Sequence, residues 1–123
     1  MSVEDREKPL IAFFRSLLSY LEVHGLKIIS LAELTGQKYI RIGFHGIYRH
    51  HDESTGYRYF IEIISSLSER DKDKLRSLGI EIYRDDKLGD YFIKLPLKTL
   101  KCIIVNKELI LRGNLDVCLN KVS

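Results

Sequence analysis

The 123 residues make up the length of one domain, long enough to bury a core without metal ions or disulfides. A composition of 45% hydrophobic and 30% charged residues excludes a disordered chain. The formal net charge of +3 does not by itself indicate nucleic-acid binding, for which a local basic patch counts for more than the total. We expect one globular domain spanning residues 1–123.

Composition also bears on source and location. Fifteen Ile and a single Gln fit a thermophile, archaeal or viral, although AT-rich codon bias gives the same pattern. Cys102 and Cys118 lie in apolar segments without CxxC spacing, which predicts two buried thiols in a reducing cytosol. The charged N-terminus lacks the apolar segment of a signal peptide, and no apolar run reaches membrane-spanning length. These features predict a cytoplasmic protein with no membrane contact.

The first predicted element is an amphipathic helix over residues 4–24, ended by Gly25. Its apolar residues recur every three or four positions, at Leu10, Phe13, Phe14, Leu17, Leu18 and Leu21. The following segment, residues 26–36, fits either a short helix capped by Ser30 or a short buried strand.

A β-hairpin is predicted over residues 39–64, with strands at 39–50 and 57–64 joined by a polar turn. Alternation at period two gives its first strand an apolar face and a cationic face. The apolar face carries Ile40, Ile42, Phe44 and Tyr48, and the cationic face carries Arg41, His45 and Arg49.

The second half of the chain alternates helices and strands. Ser68 and Asp71 are placed to form a capping box for a helix that ends at Leu78. The later elements are strands Ile80–Tyr83 and Asp90–Leu95, a helix Leu97–Val105, and a helix over 107–122 interrupted at Gly113. The predicted fold class is α+β: a four-stranded antiparallel sheet with helices on one face, in which an αββαββα core follows the N-terminal helix.

Histidines and carboxylates cluster around the predicted turn, at His45, His50, His51, Asp52 and Glu53. These side chains are suitable ligands for a metal-dependent nuclease. Neighbouring residues of a strand point to opposite faces, however, and a turn does not hold ligands in place. Since the sequence also has no phosphate-binding loop or nucleophile elbow, we predict no catalytic residue, no metal site and no cofactor.

The stronger indication is the cationic face of the predicted hairpin. Cations and interleaved tyrosines line it, at Lys38, Arg41, His45, Arg49, Arg58, Tyr57 and Tyr59. Guanidinium groups contact phosphates or guanine edges, tyrosines stack on bases, and a two-stranded ribbon fits the major groove. The pattern predicts a non-catalytic nucleic-acid-binding protein, with DNA favoured over RNA. An ordinary solvated sheet face alternates in the same way.

The N-terminal helix supports an alternative function. Its apolar stripe, which includes Phe13, Phe14 and Leu17, is wide enough for a dimer interface as well as for a core. The alternative is therefore a small protein-interaction module, such as a viral or host inhibitor or a subunit of a larger assembly. A homodimer through this helix is the associated expectation.

Three segments within residues 28–122 carry a family resemblance. They are Ile29–Gly36 running into Tyr39–Ile42, the stretch Gly79–Ile93, and Leu97–Leu100. In this order they resemble the signature helix with its first DNA-reading strand, the second hairpin, and the following helix of half a LAGLIDADG homing endonuclease. The resemblance implies a sheet that sits on DNA and signature helices that pair across a dimer.

The same resemblance implies binding without cleavage. Lys38 stands at the family's metal-binding acidic position, and Gly36 stands where another acid is common. Lysine cannot ligate Mg²⁺, which requires oxygen donors.

Overall fold

The computed structural model describes residues 6–122, with side chains described up to residue 119. In chain order, the elements are α1 (Pro9–Thr35), β1 (Tyr39–Gly43), α2 (Phe44–Arg49), a 3-10 turn (Glu53–Thr55), α3 (Phe60–Ser66), α4 (Glu69–Ser77), β2 (Glu81–Asp85), β3 (Asp90–Pro96), α5 (Leu97–Val105), α6 (Lys107–Leu111) and α7 (Asp116–Val122). This combination of helices with an antiparallel sheet confirms the α+β class.

The strands form one antiparallel sheet in the order β1-β3-β2, with β3 at its centre. Ile93 of β3 pairs with Ile42 of β1 on one side and with Ile82 of β2 on the other, which sets the register. The prediction of four strands is wrong, because the sheet formed by residues 6–122 has three. The β2–β3 hairpin is present as predicted.

The predicted hairpin is wrong beyond β1, because α2 and α3 replace the rest of it. From Phe44 onwards, the buried apolar residues change from a spacing of two to a spacing of three. Phe44 and Ile47 are buried in α2, and Phe60 and Ile63 are buried in α3. Since residues three apart lie on one side of a helix, each pair seals one helical face against the core. This burial overrides the strand preference of the many isoleucines and tyrosines.

α1 is one continuous helix of 27 residues, so the prediction that Gly25 ends it is wrong. A Cβ at Gly25 would lie 3.2 Å from Ile104 Cδ1 of α5, and its absence lets the two helices approach. Gly36, with φ at 70°, ends α1 in the left-handed conformation that glycine adopts without strain. Residues 4 and 5 of the predicted helix lie outside the described residues. No helix within 6–122 is long and apolar enough to cross a membrane.

The core lies between the helices and one face of the sheet. α1 contacts α2, α3, α5, α6 and β1, and its first half is buried at Phe13, Phe14 and Leu17. The sheet contributes Ile40, Ile42, Ile93 and Leu95, which define the covered face. The apolar stripe that the sequence assigns to either a core or a dimer interface is therefore core.

Cys102 of α5 and Cys118 of α7 form a disulfide, with their Cα atoms 5.8 Å apart. Both residues are buried as predicted, but the prediction of two thiols is wrong. Residues separated by sixteen positions meet here because α5 and α7 pack against each other. Only that packing brings the two Cα atoms within the range that a disulfide spans.

Candidate nucleic-acid interface

The second face of the sheet is exposed. Cross-strand partners share a face, so the register places three aromatic and two basic residues together on it: Tyr39, Tyr83, Phe92, Arg41 and Lys94. We call this surface the open face. Arg41 lies directly opposite Lys94 across the β1–β3 pair, and Tyr39 is 57% exposed at the start of β1.

The side chain of Arg41 lies flat across the open face. Its guanidinium carbon is 4.0 Å from the centre of the Phe92 ring and 5.9 Å from that of Tyr83. Its Nη2 donates a hydrogen bond of 3.0 Å to Asp85 Oδ2. This arrangement covers Phe92, which is only 8% exposed, and partly neutralises the guanidinium. Arg41 can contact a ligand phosphate only by sharing or leaving Asp85.

A basic groove adjoins the open face where β1 begins and β3 ends. The groove has a volume of about 470 Å³ and is lined by Gln37, Lys38, Tyr39, Pro96, Leu97, Lys98 and Lys101. The N–H of Leu97 donates a 2.8 Å hydrogen bond to the carbonyl of Lys38, which holds the start of β1 against α5. Lys94 adds a fourth cation, with its Nζ 5.0 Å from the centre of the Tyr39 ring. Lys101 also lies 3.4 Å from Glu33, an exposed pair that leaves the lysine near the groove.

The opposite end of the open face is acidic. Asp85 and Asp90 lie across from each other at the β2–β3 turn, and His45 Nδ1 lies 2.9 Å from Asp90 Oδ2. The hydrogen bond with His45 is the main cause that lowers the pKa of Asp90 below its ordinary value. Carboxylates therefore predominate at this end, while at the other end Glu81 of β2 lies directly opposite Lys94 among the lysines.

The structure brings together only part of the predicted site. Lys38 lines the basic groove, Arg41 crosses the open face, and His45 of α2 lies at the acidic end. Arg49 is exposed at the end of α2, and the remaining predicted residues lie in the segment before α3. The prediction of one continuous strip from Lys38 to Arg58 is wrong, because the second predicted strand is not part of the sheet.

The two predicted tyrosines of that segment differ in exposure. Tyr57 is only 4% exposed beneath the guanidinium of Arg6, whose carbon lies 5.0 Å from the ring centre, so Tyr57 cannot stack on a base. Tyr59 is 53% exposed and lies 5.3 Å from the guanidinium carbon of Arg58. The Arg58–Tyr59 pair is therefore a separate small surface at the start of α3.

Sequence reasoning missed Lys94, Lys98 and Lys101, together with Tyr83 and Phe92. Lys94 could have been predicted, because alternation along β3 places it on the face opposite to the buried Ile93 and Leu95. Lys98 and Lys101 are three residues apart on α5, so the sequence predicts that they share one side of the helix. It does not predict which distant segment that side faces. Their proximity to Lys38 depends on the β1–β3 pairing, which is long-range.

His51, one of the histidines at the predicted turn, has a structural role. His51 Nδ1 lies 2.7 Å from Ser16 Oγ, but Ser16 is fully buried, and His51 Nε2 is 2.8 Å from the carbonyl of Tyr57. This serine–histidine pair ties the loop before α3 to α1 and cannot reach a substrate. Among the described residues, no group of three or more His, Cys, Asp or Glu side chains converges as a metal site.

Tyr48 and Asp52, which flank His50 and His51 in the sequence, have pKa values shifted further from neutral pH and are unsuited to proton transfer there. Burial raises the pKa of Tyr48, with the negative charge of Asp90 as a smaller cause, so the phenol stays protonated. Hydrogen bonding by the Ser54 side chain is the main cause that lowers the pKa of Asp52, with the Ser54 backbone N–H as a smaller cause. Asp52 Oδ1 accepts from the N–H of Ser54 at 2.9 Å and so caps the 3-10 turn.

Comparison of the chain with protein-family models, curated proteins and solved structures finds no match. The resemblance to half of a LAGLIDADG endonuclease therefore stays a prediction.

Proposed function

We propose that the protein is a non-catalytic nucleic-acid-binding protein that holds a single strand along the open face and the basic groove. The observation that carries the proposal is the meeting of four lysines with an exposed aromatic ring, at Lys38, Lys94, Lys98, Lys101 and Tyr39. Proteins that bind single strands combine such a cationic groove with aromatic platforms on which bases stack.

The shape of the sheet favours a single strand over a duplex. A two-stranded ribbon or one helix fills the major groove of DNA. The open face is instead carried by three strands spaced about 4.8 Å apart, and its aromatic and basic side chains lie on the central strand as well as on both edges. Bases splayed from a single strand can reach Tyr39 while their phosphates lie in the basic groove. Asp85 and Asp90 repel phosphates, so we expect the nucleic-acid strand to follow the end of the open face that adjoins the basic groove.

The nucleic acid is proposed to be DNA, with RNA as the comparison in the test. Fluorescence anisotropy at low salt, using labelled single-stranded DNA, single-stranded RNA and duplex DNA of one sequence, measures the preference. We expect single-stranded DNA to bind most tightly. Affinity should fall with salt by a log–log slope of roughly 0.7 for each phosphate contacted.

A matched pair of lysine variants tests the location. The triple variant Lys38→Ala, Lys98→Ala, Lys101→Ala should bind more weakly and reduce the salt slope by about 2. The control variant Lys72→Ala, Lys74→Ala, Lys87→Ala removes the same charge from α4 and the β2–β3 turn, and should reduce affinity much less. Equal losses in the two variants, or no binding to any of the three oligonucleotides at low salt, would contradict the proposal.

A variant without the Tyr39 ring tests whether bases stack on it. Tyr39→Ala removes the exposed ring next to Lys94 while leaving the groove lysines in place. Base stacking contributes about 1–3 kcal/mol per base, so affinity should fall by roughly 5- to 150-fold. Tyr39→Phe keeps the ring and should retain the affinity.

One observation favours a second candidate function, self-association through the second half of α1. Beyond Leu21, four large apolar residues of α1 are exposed, with values of 64%, 82%, 52% and 83% for Val23, Leu26, Leu31 and Leu34 respectively. Val23, Leu26 and Leu34 recur with the small Ser30 at spacings of three and four, which gives one stripe along the helix.

The charges beside this stripe favour a second copy of the chain as its occupant. Glu22 and Lys27 flank the stripe on opposite sides and are five residues apart. In a parallel dimer, that spacing would bring Glu22 of one helix next to Lys27 of the partner helix, in exchange for the contact of 3.9 Å between Glu22 and Lys107. Light scattering should show a dimer that dissociates in the double variant Leu26→Lys, Leu34→Lys. A strict monomer at high protein concentration would exclude this second function.

A further inference from the structure

Two histidines outside the open face lie unusually close together. His24, within α1, and His50, which follows α2, have their Nε2 atoms 3.2 Å apart. Both side chains are half-buried. One imidazole can donate to the other when both are neutral and one carries its proton on Nε2. The ring positions also fit a second use.

The two rings lie closer together than a straight hydrogen bond between their Nε2 atoms would place them. Their centroids are 5.0 Å apart, whereas rings aligned along a straight N–H···N bond of this length would have centroids about 5.5 Å apart. If the two ring axes converge symmetrically, the Nε2 separation and the centroid separation place their meeting point about 2.0 Å from each nitrogen. That distance equals a zinc–imidazole bond length.

The surrounding residues keep the pair in place. The Tyr20 ring packs 4.7 Å from the His24 ring and 5.8 Å from the His50 ring, measured between centroids. Gly46 of α2 makes room for it, because a Cβ there would lie 3.1 Å from Tyr20 Cε2. α1, α2 and the tyrosine therefore hold two nitrogen ligands at a set separation, as a metal site requires.

We propose that His24 and His50 together bind one divalent transition-metal ion, of which zinc is the type. Imidazole nitrogen is a preferred ligand for zinc, copper and nickel. Two ligands leave two tetrahedral positions for other donors. Water can fill them, or a second copy of the chain can bring its own His24 and His50 and complete four nitrogen ligands.

Calorimetric titration of the full metal-free chain with ZnCl₂ tests the site. We expect a micromolar or tighter dissociation constant. His24→Ala and His50→Ala should each weaken binding at least tenfold, while His45→Ala, which removes the exposed histidine paired with Asp90, should not. Thermal unfolding of the metal-free variants checks that they fold. Millimolar binding, or micromolar binding that survives either substitution, would overturn the proposal.

The number of ions bound per chain identifies the remaining ligands, and either of two stoichiometries supports the site. One ion per chain on a monomer means that water completes the coordination. One ion per two chains, with dimer formation seen by light scattering only when zinc is added, means that the second copy supplies the other two nitrogens. In both cases, Co²⁺ in place of zinc should give a visible absorption spectrum that is lost in the His50→Ala variant.

Discussion

Ile93 and Lys94 are neighbours on the central strand and lie on opposite faces of the sheet. Ile93 is fully buried between strands and helices, whereas Lys94 is exposed above the Tyr39 ring. The same contrast separates Ile40 and Ile42 from Arg41 on β1. On the covered face, the side chains are apolar and fill the core. On the open face, Arg41 lies over the Phe92 ring and Lys94 lies beside the Tyr39 ring, so cations contact aromatic side chains there.

The largest expected effect is on the covered face. Ile93→Ala removes a side chain that is fully buried at the centre of the sheet. The loss of transfer free energy and the cavity left behind should lower the free energy of unfolding by about 2–5 kcal/mol. Chemical denaturation measures the change. A loss below about 1 kcal/mol would mean that the covered face is not packed as described.

The disulfide should have the next largest effect, behind the covered face. Reducing the bridge between Cys102 and Cys118, or replacing both residues with Ser, frees a loop of about sixteen residues in the unfolded chain. The chain-entropy argument gives a stabilisation of about 3 kcal/mol for a loop of this size. Thermal unfolding with and without a reductant measures it. The Cys102→Ser, Cys118→Ser variant should not respond to the reductant.

Lys94→Ala is the matching change on the open face. Its side chain is exposed, so stability should change by less than about 0.5 kcal/mol. Binding of single-stranded DNA should nevertheless weaken, because a cation beside the Tyr39 platform is lost. Unfolding and anisotropy on the same variant give both values. A large loss of stability would show that the two faces are not functionally separate.

The smallest expected effect is a pH dependence at the acidic end of the open face. Hydrogen bonding by His45 lowers the pKa of Asp90, so the charged carboxylate stabilises the fold at pH values above its unfolded pKa of about 3.9. That stabilisation is lost as the pH falls through the lower folded pKa. The stability difference between the wild type and Asp90→Asn should therefore shrink as the pH falls below about 4. Thermal unfolding between pH 2 and about 6 measures it, and a difference that is constant with pH would exclude this role for His45.

Sequence patterns predicted the elements that short-range rules control. The capping box of Ser68 and Asp71 is present as expected, with Asp71 N–H donating to Ser68 Oγ and Ser68 N–H donating to Asp71 Oδ2. The β2–β3 hairpin, the bounds of α5 and the break at Gly113 were also readable, because each depends on residues within a few positions of one another. Arg41 and Lys38 were predicted correctly as neighbours for the same reason, because Arg41 lies in β1 and Lys38 directly precedes that strand.

The sequence by itself determined the α+β class, one buried half of α1 and the alternation that opposes Arg41 to its isoleucine neighbours. Tertiary structure decided that residues 44–66 are helical, that α1 passes through Gly25, and that Cys102 meets Cys118. It also decided which lysines gather around Tyr39 and that His24 faces His50. The physical reason is common to all of these outcomes. Local periodicity reports only the direction of side chains within one element, whereas burial against distant elements selects between a strand and a helix and brings remote side chains together.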